Sequence, residues 1–243
     1  MISVFLHGGG DHPDWRASAL GPFVRAAQGH SAGPLALVVA EATDAEARES
    51  FQAYGAMFES FAISLVPVLV SPDWPLLRAA LEAVQPSGVF VCGGATPLYH
   101  QCLCTDSEWL GYLRATEIPY GGTSAGAAIA ASLAILGGWR AQRGNVIRPI
   151  LFQGAGEGLD VLTMQPGLGL VPFAVEVHAS QMGTLTRLIH AVGLGFVNEG
   201  WAIDENTLLQ VTGDKLQVSG SGYVYHVRRA EGHALTVTIH TAD

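Results

Sequence analysis

Gly122-Thr123-Ser124-Ala125-Gly126 follows an apolar approach, Ile118-Pro119-Tyr120, and precedes a helix-forming run, Ala127 to Leu136. That order reads as strand, tight turn, helix, and its spelling is a complete G-x-S-x-G. A serine at such a turn sits where the backbone bends sharply. Its hydroxyl stands clear of neighbouring side chains, and the following helix offers N–H groups to a developing negative charge. The functional reading is a serine hydrolase. The plain alternative is that small residues merely let a strand and a helix pack closely.

Outward from this turn, short apolar runs alternate with segments of helical period. The runs are Ile2 to Leu6, Leu35 to Val39, Ile63 to Val70, Val89 to Cys92 and Ile118 to Tyr120. The helical segments are Trp15 to Gln28, Asp44 to Ser60, Asp73 to Val84 and Thr96 to Ala115, the last breaking near Cys104-Thr105-Asp106. Alternation of this kind predicts an α/β fold, a doubly wound, mostly parallel sheet with helices on both faces. Beyond Trp139 the pattern weakens into Gly-rich turns at Gly154 to Gly158. A strand-like run follows from Leu168 to Val177, then a helix from Met182 to Val192. The tail (Leu208 to Val211, Lys215 to Val218, Tyr223 to Val227, Leu235 to Ile239) reads as short antiparallel strands.

The 243 residues, 49 % hydrophobic and 14 % charged, suit one domain spanning 1–243. A net charge of −9 with only 12 Lys and Arg argues against a nucleic-acid or anionic-membrane partner. The opening residues lack a basic n-region and their apolar run breaks at Gly8, so no secretory leader or spanning segment is expected. Cys92, Cys102 and Cys104 form no C-x-x-C pair, which fits free thiols and a cytoplasmic location.

Two more glycine-rich strand ends fall at the carboxyl edge of the expected sheet, where ligands of open sheets gather. They are His7-Gly8-Gly9-Gly10 and Gly93-Gly94-Ala95-Thr96, and both let backbone approach a ligand closely. Neither has dinucleotide or P-loop spacing, so an oxyanion hole fits better, with the N–H groups of Ala125 and Gly94 facing the carbonyl oxygen. A serine needs a base, and His178 emerges at the end of a strand-like run. His190 lies inside a helix pattern, and His226, His233 and His240 lie in the tail. His7, Asp11 and His12 make a weak metal cluster; no metal or organic cofactor is expected.

Gly121-Gly122-Thr123-Ser124-Ala125-Gly126-Ala127 resembles the nucleophile segment of the serine peptidases that include aspartyl dipeptidase (peptidase E) and cyanophycinase. Phe90 to Gly94 resembles that family's oxyanion loop, Gly167 to His178 its histidine segment, Ala202 to Thr207 its acidic segment and Gly220 to Tyr225 its closing strand. The resemblance covers most of residues 88 to 227. It implies a fold like that of class I glutamine amidotransferases, Ser124 as nucleophile, His178 as base and Glu205 as the group orienting the histidine. Asp204 and Glu176 are the other acids near enough in sequence to take that last part. The family's phenylalanine and arginines after the histidine are absent apart from Arg187, and Ala95 stands where it carries asparagine or aspartate.

The expectation is therefore a serine peptidase that hydrolyses short peptides through an acyl-serine intermediate. Arg187 would clamp a substrate carboxylate and Thr96 would line the pocket. Loops at Asp11 to Arg16 and Gly137 to Arg148 would wall it. The alternatives are a cyanophycinase-like hydrolase of β-aspartyl-arginine, an esterase, and a catalytically silent binding module. Apolar residues on the tail strands permit a homodimer as well as a monomer.

Overall fold

A computed structural model describes residues 2–76, 78–105 and 108–242. Leu77 and Asp106, which fall in expected helical segments, lie outside the described residues, as does the side chain of His233. The first half of the chain alternates strand and helix. It runs β1 (Val4–His7), α1 (Arg16–His30), β2 (Leu35–Ala40), α2 (Asp44–Ala56), β3 (Leu65–Val70), α3 (Arg78–Val84) and β4 (Gly88–Val91). Then come α4 (Thr96–Leu103), α5 (Glu108–Thr116), β5 (Tyr120–Thr123) and α6 (Ala125–Ala128). β6 (Leu133–Gly137), β7 (Arg140–Arg143), β8 (Val146–Pro149), β9 (Thr163–Pro166) and β10 (Ala174–Val177) lead to α7 (Leu185–Leu194). The chain closes with β11 (Glu199–Ile203), β12 (Thr207–Thr212), β13 (Lys215–Gly220), β14 (Tyr223–Arg229) and β15 (Leu235–Thr241).

Among the described residues the main sheet has seven strands in the order β13-β12-β1-β5-β4-β2-β3. Its five central and edge strands from β1 to β3 are parallel, while β12 and β13 close the other edge antiparallel. The fold is thus α/β with a mostly parallel sheet. The chain steps outward from β1 to β2 and β3, then turns back to β4 and β5. Right-handed crossovers therefore put α1 and α2 on one face and α3 to α5 on the other. Strands buried on both faces read as continuous apolar runs, as Leu35–Ala40 and Gly88–Val91 do.

Two expectations are corrected. The run Ala127 to Leu136 is not one helix: α6 ends at Ala128, and Leu133–Gly137 is a strand paired with Thr163–Pro166. Alanine's helix propensity is a weak prior, and here pairing outside the segment wins, with Ser132 N–H on the Val171 carbonyl and Gly167 N–H on that of Ser132. The Leu168 to Val177 run is strand only from Ala174. The tail strands are antiparallel as expected and divide between two sheets: β12 and β13 join the main sheet, whereas β14 and β15 extend a second sheet, β10-β11-β14-β15. That second sheet has its own small apolar cluster with α7, around Ala174, Leu188, Val192 and Ala202. No helix among the described residues is long and apolar enough to cross a membrane.

The glycines of the serine turn have a packing reason. A Cβ on Gly122 would lie 2.5 Å from the Gly126 carbonyl, and one on Gly126 would lie 2.2 Å from that of Val91. Gly111, by contrast, has open space on the outer side of α5. Gly126→Ala is expected to destabilise the protein by about 3 kcal/mol or more, since backbone on both sides must move. Gly111→Ala should raise stability by about 0.5–1 kcal/mol. Urea denaturation of the two variants beside the parent measures both.

Candidate active site

Five strand ends meet at the carboxyl edge of the sheets. Ser124 follows β5 at φ 50°, ψ −114°, a conformation that L residues rarely adopt. Backbone held this way projects the side chain out of the turn and persists only where surroundings enforce it. Here the Ser124 N–H is held by the His7 carbonyl and the Gly126 N–H by that of Cys92. β10 is followed by His178, itself at φ 54°, and β11 leads through Asp204 to Glu205.

Ser124 Oγ lies 2.9 Å from His178 Nε2, and His178 Nδ1 lies 2.8 Å from Glu205 Oε1. An ionised carboxylate only accepts, so Nδ1–H donates to Glu205 and Nε2 is left to accept the serine O–H. The other two acids go elsewhere. Asp204 accepts the Ser180 and Tyr223 N–H groups, and Glu176 is paired with Arg187. Residues 124, 178 and 205 are thus brought together, while 176 and 204 are not part of the chain.

The glycines after β1 let the backbone pass close to these side chains. A Cβ on Gly9 would stand 2.1 Å from His178 Cε1, one on Gly8 2.1 Å from the Asp204 carbonyl, and one on Gly10 2.8 Å from Glu205 Cβ. The same loop holds the partners by backbone bonds, His178 N–H to Gly8 and Asn206 N–H to Gly9. After β4, Gly93 passes Ser124 so closely that a Cβ there would be 3.0 Å from the serine Cβ. The N–H of Gly94 bonds to no backbone carbonyl among the described residues. That of Ala125, the first residue of α6, has no partner within its own helix.

Arg187 corrects an expectation. It is 4 % exposed, its Nε and Nη2 grip the Glu176 carboxylate at 2.7 and 2.9 Å, and its Nη1 donates to the Ala155 carbonyl. All three guanidinium nitrogens are spent inside the protein, so this arginine is not open to a substrate carboxylate. Thr96 is also buried, and its N–H is taken by Glu157 Oε2 at 3.2 Å. Glu157 was hidden in the sequence by the Gly-rich turn around it; the one available signal was a lone acid in Gly154-Ala155-Gly156-Glu157-Gly158. A cleft of about 500 Å3 at the ends of β2 and β3 is lined by Glu41, Asp44, Asp73 and Trp74 and by none of these residues.

His7, Asp11 and His12 do not converge. Asp11 pairs with Arg16, the His12 N–H donates to Asn206, and His7 Nδ1 lies 2.8 Å from Thr123 Oγ1. Among the described residues no group of three His, Cys, Asp or Glu could hold a metal ion. Burial lowers the His7 pKa from 6.5 to about 4, with the neighbouring His178 adding to the shift and Asp11 opposing it.

No protein-family model matches the sequence, and no curated protein matches it. Solved structures do. The crystal structure of a peptidase from an acI-B1 Actinobacterium superposes with a TM-score of 0.70 at 16 % identity, covering 100 % of this chain and 95 % of that one. A candidate peptidase E protein from Listeria monocytogenes EGD-e gives 0.57 at 14 % identity, covering 91 % and 100 %. At such identities the likeness is one of fold.

The buried His7 makes a pH prediction. Its folded pKa is depressed, so between about pH 6.5 and 4 the unfolded chain takes up a proton that the fold refuses. Its contribution is complete above pH 6.5 and is lost as pH falls, by up to about 3 kcal/mol. Urea midpoints from pH 7 to 4 should fall less steeply for His7→Asn than for the parent; parallel curves would contradict the assignment.

Proposed function

We propose that this chain is a serine peptidase that hydrolyses amide bonds of short peptides through an acyl-serine intermediate. The observation that carries the reading is the unbroken hydrogen-bond chain Ser124–His178–Glu205 on a serine held at positive φ. The fold shared with two proteins described as peptidases supports it.

In this mechanism Ser124 Oγ attacks the scissile carbonyl carbon while its proton passes to His178 Nε2. Glu205 holds the imidazole in the tautomer that can accept, and stabilises the imidazolium once formed. The oxygen that becomes negative is met by the N–H groups of Gly94 and Ala125, which bond to no backbone carbonyl among the described residues. Collapse breaks the C–N bond, and His178 returns the proton to the leaving amine. Water then attacks the acyl-serine, gives its proton to His178, and the imidazolium restores the serine as the carboxylate product leaves. No step calls on a metal or organic cofactor.

The test is a library of short peptides, free and blocked at either end, with Asp-X and β-Asp-Arg members and simple esters alongside. Ser124→Ala and His178→Ala should each lower kcat by about 10^6-fold, and Glu205→Gln by about 10^4-fold, with KM little changed. Turnover that survives Ser124→Ala would overturn the reading, and hydrolysis of esters alone would move it to an esterase.

A further inference from the structure

Glu157 takes no part in the Ser124–His178–Glu205 chain, yet it is built into the same place. Its Oε2 accepts the N–H of Thr96, two residues beyond Gly94, and Gly93 in turn lies against Ser124. The carboxylate is therefore seated on the first residue of α4, directly after the loop assigned to the oxyanion and about 7 Å of chain from Gly94. Its other oxygen has no hydrogen-bond partner among the described residues, and no cation there forms a salt bridge with it.

The nearby cation, Arg187, is already neutralised by Glu176. The pair sums to zero, and Glu157 leaves this side of the site with one net negative charge. Desolvation raises the pKa of its carboxyl and Glu176 adds to that, against the Thr96 N–H, Arg187 and His178. Glu157 is exposed on its turn, so the free oxygen is open to an arriving cation and can accept a charge-assisted hydrogen bond from it.

Its position is also fixed. The turn that bears it is pinned by Arg187 Nη1 on the Ala155 carbonyl at 2.7 Å and by the Gly138 N–H on that of Gly156 at 2.9 Å. Gly137 makes room, since a Cβ there would be 2.7 Å from Glu157 Cβ. Glu157 itself is held at φ 55°. The buried arginine thus acts as a positioning residue for an acid at the rim.

We infer that Glu157 selects substrates by charge, receiving the free α-ammonium of a short peptide whose scissile carbonyl lies at Ser124. This rests on the serine peptidase reading above. Each residue of extended peptide spans about 3.5 Å, so an amino end one or two residues before the scissile bond fits the spacing along the loop. The enzyme would then work from the amino end, and an acetyl group on that end would remove the recognised charge.

The experiment separates the two layers. Fluorophosphonate labelling, with Ser124→Ala as the blank, reports the nucleophile without any peptide; absence of labelling in the parent removes the serine hydrolase reading and this proposal with it. With labelling present, Ala-Ala, N-acetyl-Ala-Ala and N-acetyl-Lys-Ala are compared for protection of Ser124. Ala-Ala is expected to protect at a concentration at least about tenfold lower than N-acetyl-Ala-Ala. Glu157→Gln and Glu157→Ala should bring that ratio near one, and Glu157→Asp should keep part of it. Circular dichroism checks that each variant is folded. Protection led by N-acetyl-Lys-Ala would assign the site to a side-chain ammonium and overturn the α-ammonium assignment. Equal protection, no protection, or a ratio that folded Glu157 variants leave unmoved would overturn the proposal.

Discussion

The arrangement depends on how closely the backbone after the first strand passes the imidazole of His178. Only a residue without a side chain fits at Gly9, and its neighbours Gly8 and Gly10 meet the Asp204 carbonyl and Glu205 in the same way. The carbonyls of His7, Gly8 and Gly9 accept the N–H groups of Ser124, His178 and Asn206. One loop of four residues therefore sets the backbone of the serine and the histidine and the flank of the glutamate. Main-chain geometry thereby fixes where the three side chains stand, which side-chain rotamers alone would not secure.

Much of this is readable in the chain because parallel strands buried on both faces leave an unmistakable pattern. Leu35–Ala40 and Gly88–Val91 are apolar throughout, and glycine or polar residues follow each of them at the sheet edge. Ser124, His178 and Glu205 are each spelled next to such an ending. What escapes is pairing between distant segments of ambiguous composition. Ala127 to Leu136 has the residues of a helix, yet its second half is a strand because Thr163–Pro166 lies beside it. The second sheet escapes for the same reason, since β10 and β11 pair in parallel across α7, and β14 leaves the β12–β13 hairpin to join them. Arg187 escapes because its partner Glu176 is eleven residues away on another element. A helical arginine reads as a surface group until that partner is seen.

That pair has an energetic logic of its own. Burying a guanidinium and a carboxylate costs several kcal/mol per ion, and mutual attraction offsets this only with excellent geometry and further hydrogen bonds. Here the fork is bidentate, the Ala155 carbonyl takes a third donor, and Glu176 Oε1 also accepts the Val177 N–H. A hydrophobic pair could fill the same volume, but it would not hold the Ala155 turn by a directed bond. The charges are kept where they fix a loop, at the foot of the strand that presents His178.

The neighbours of the first strand carry a further consequence. Val4–His7 lies between Tyr120–Thr123 and Thr207–Thr212, so this strand is paired on both sides by segments more than a hundred residues further along the chain. Until they pair with it, this apolar strand has two bare edges, and the bonds from its glycine loop to Ser124 and His178 cannot form. Contacts of such sequence separation slow folding and prolong exposure of sticky strand edges. The hydrogen-bond chain Ser124–His178–Glu205 accordingly assembles only once those distant segments have paired, and a truncation short of Thr212 would withhold it.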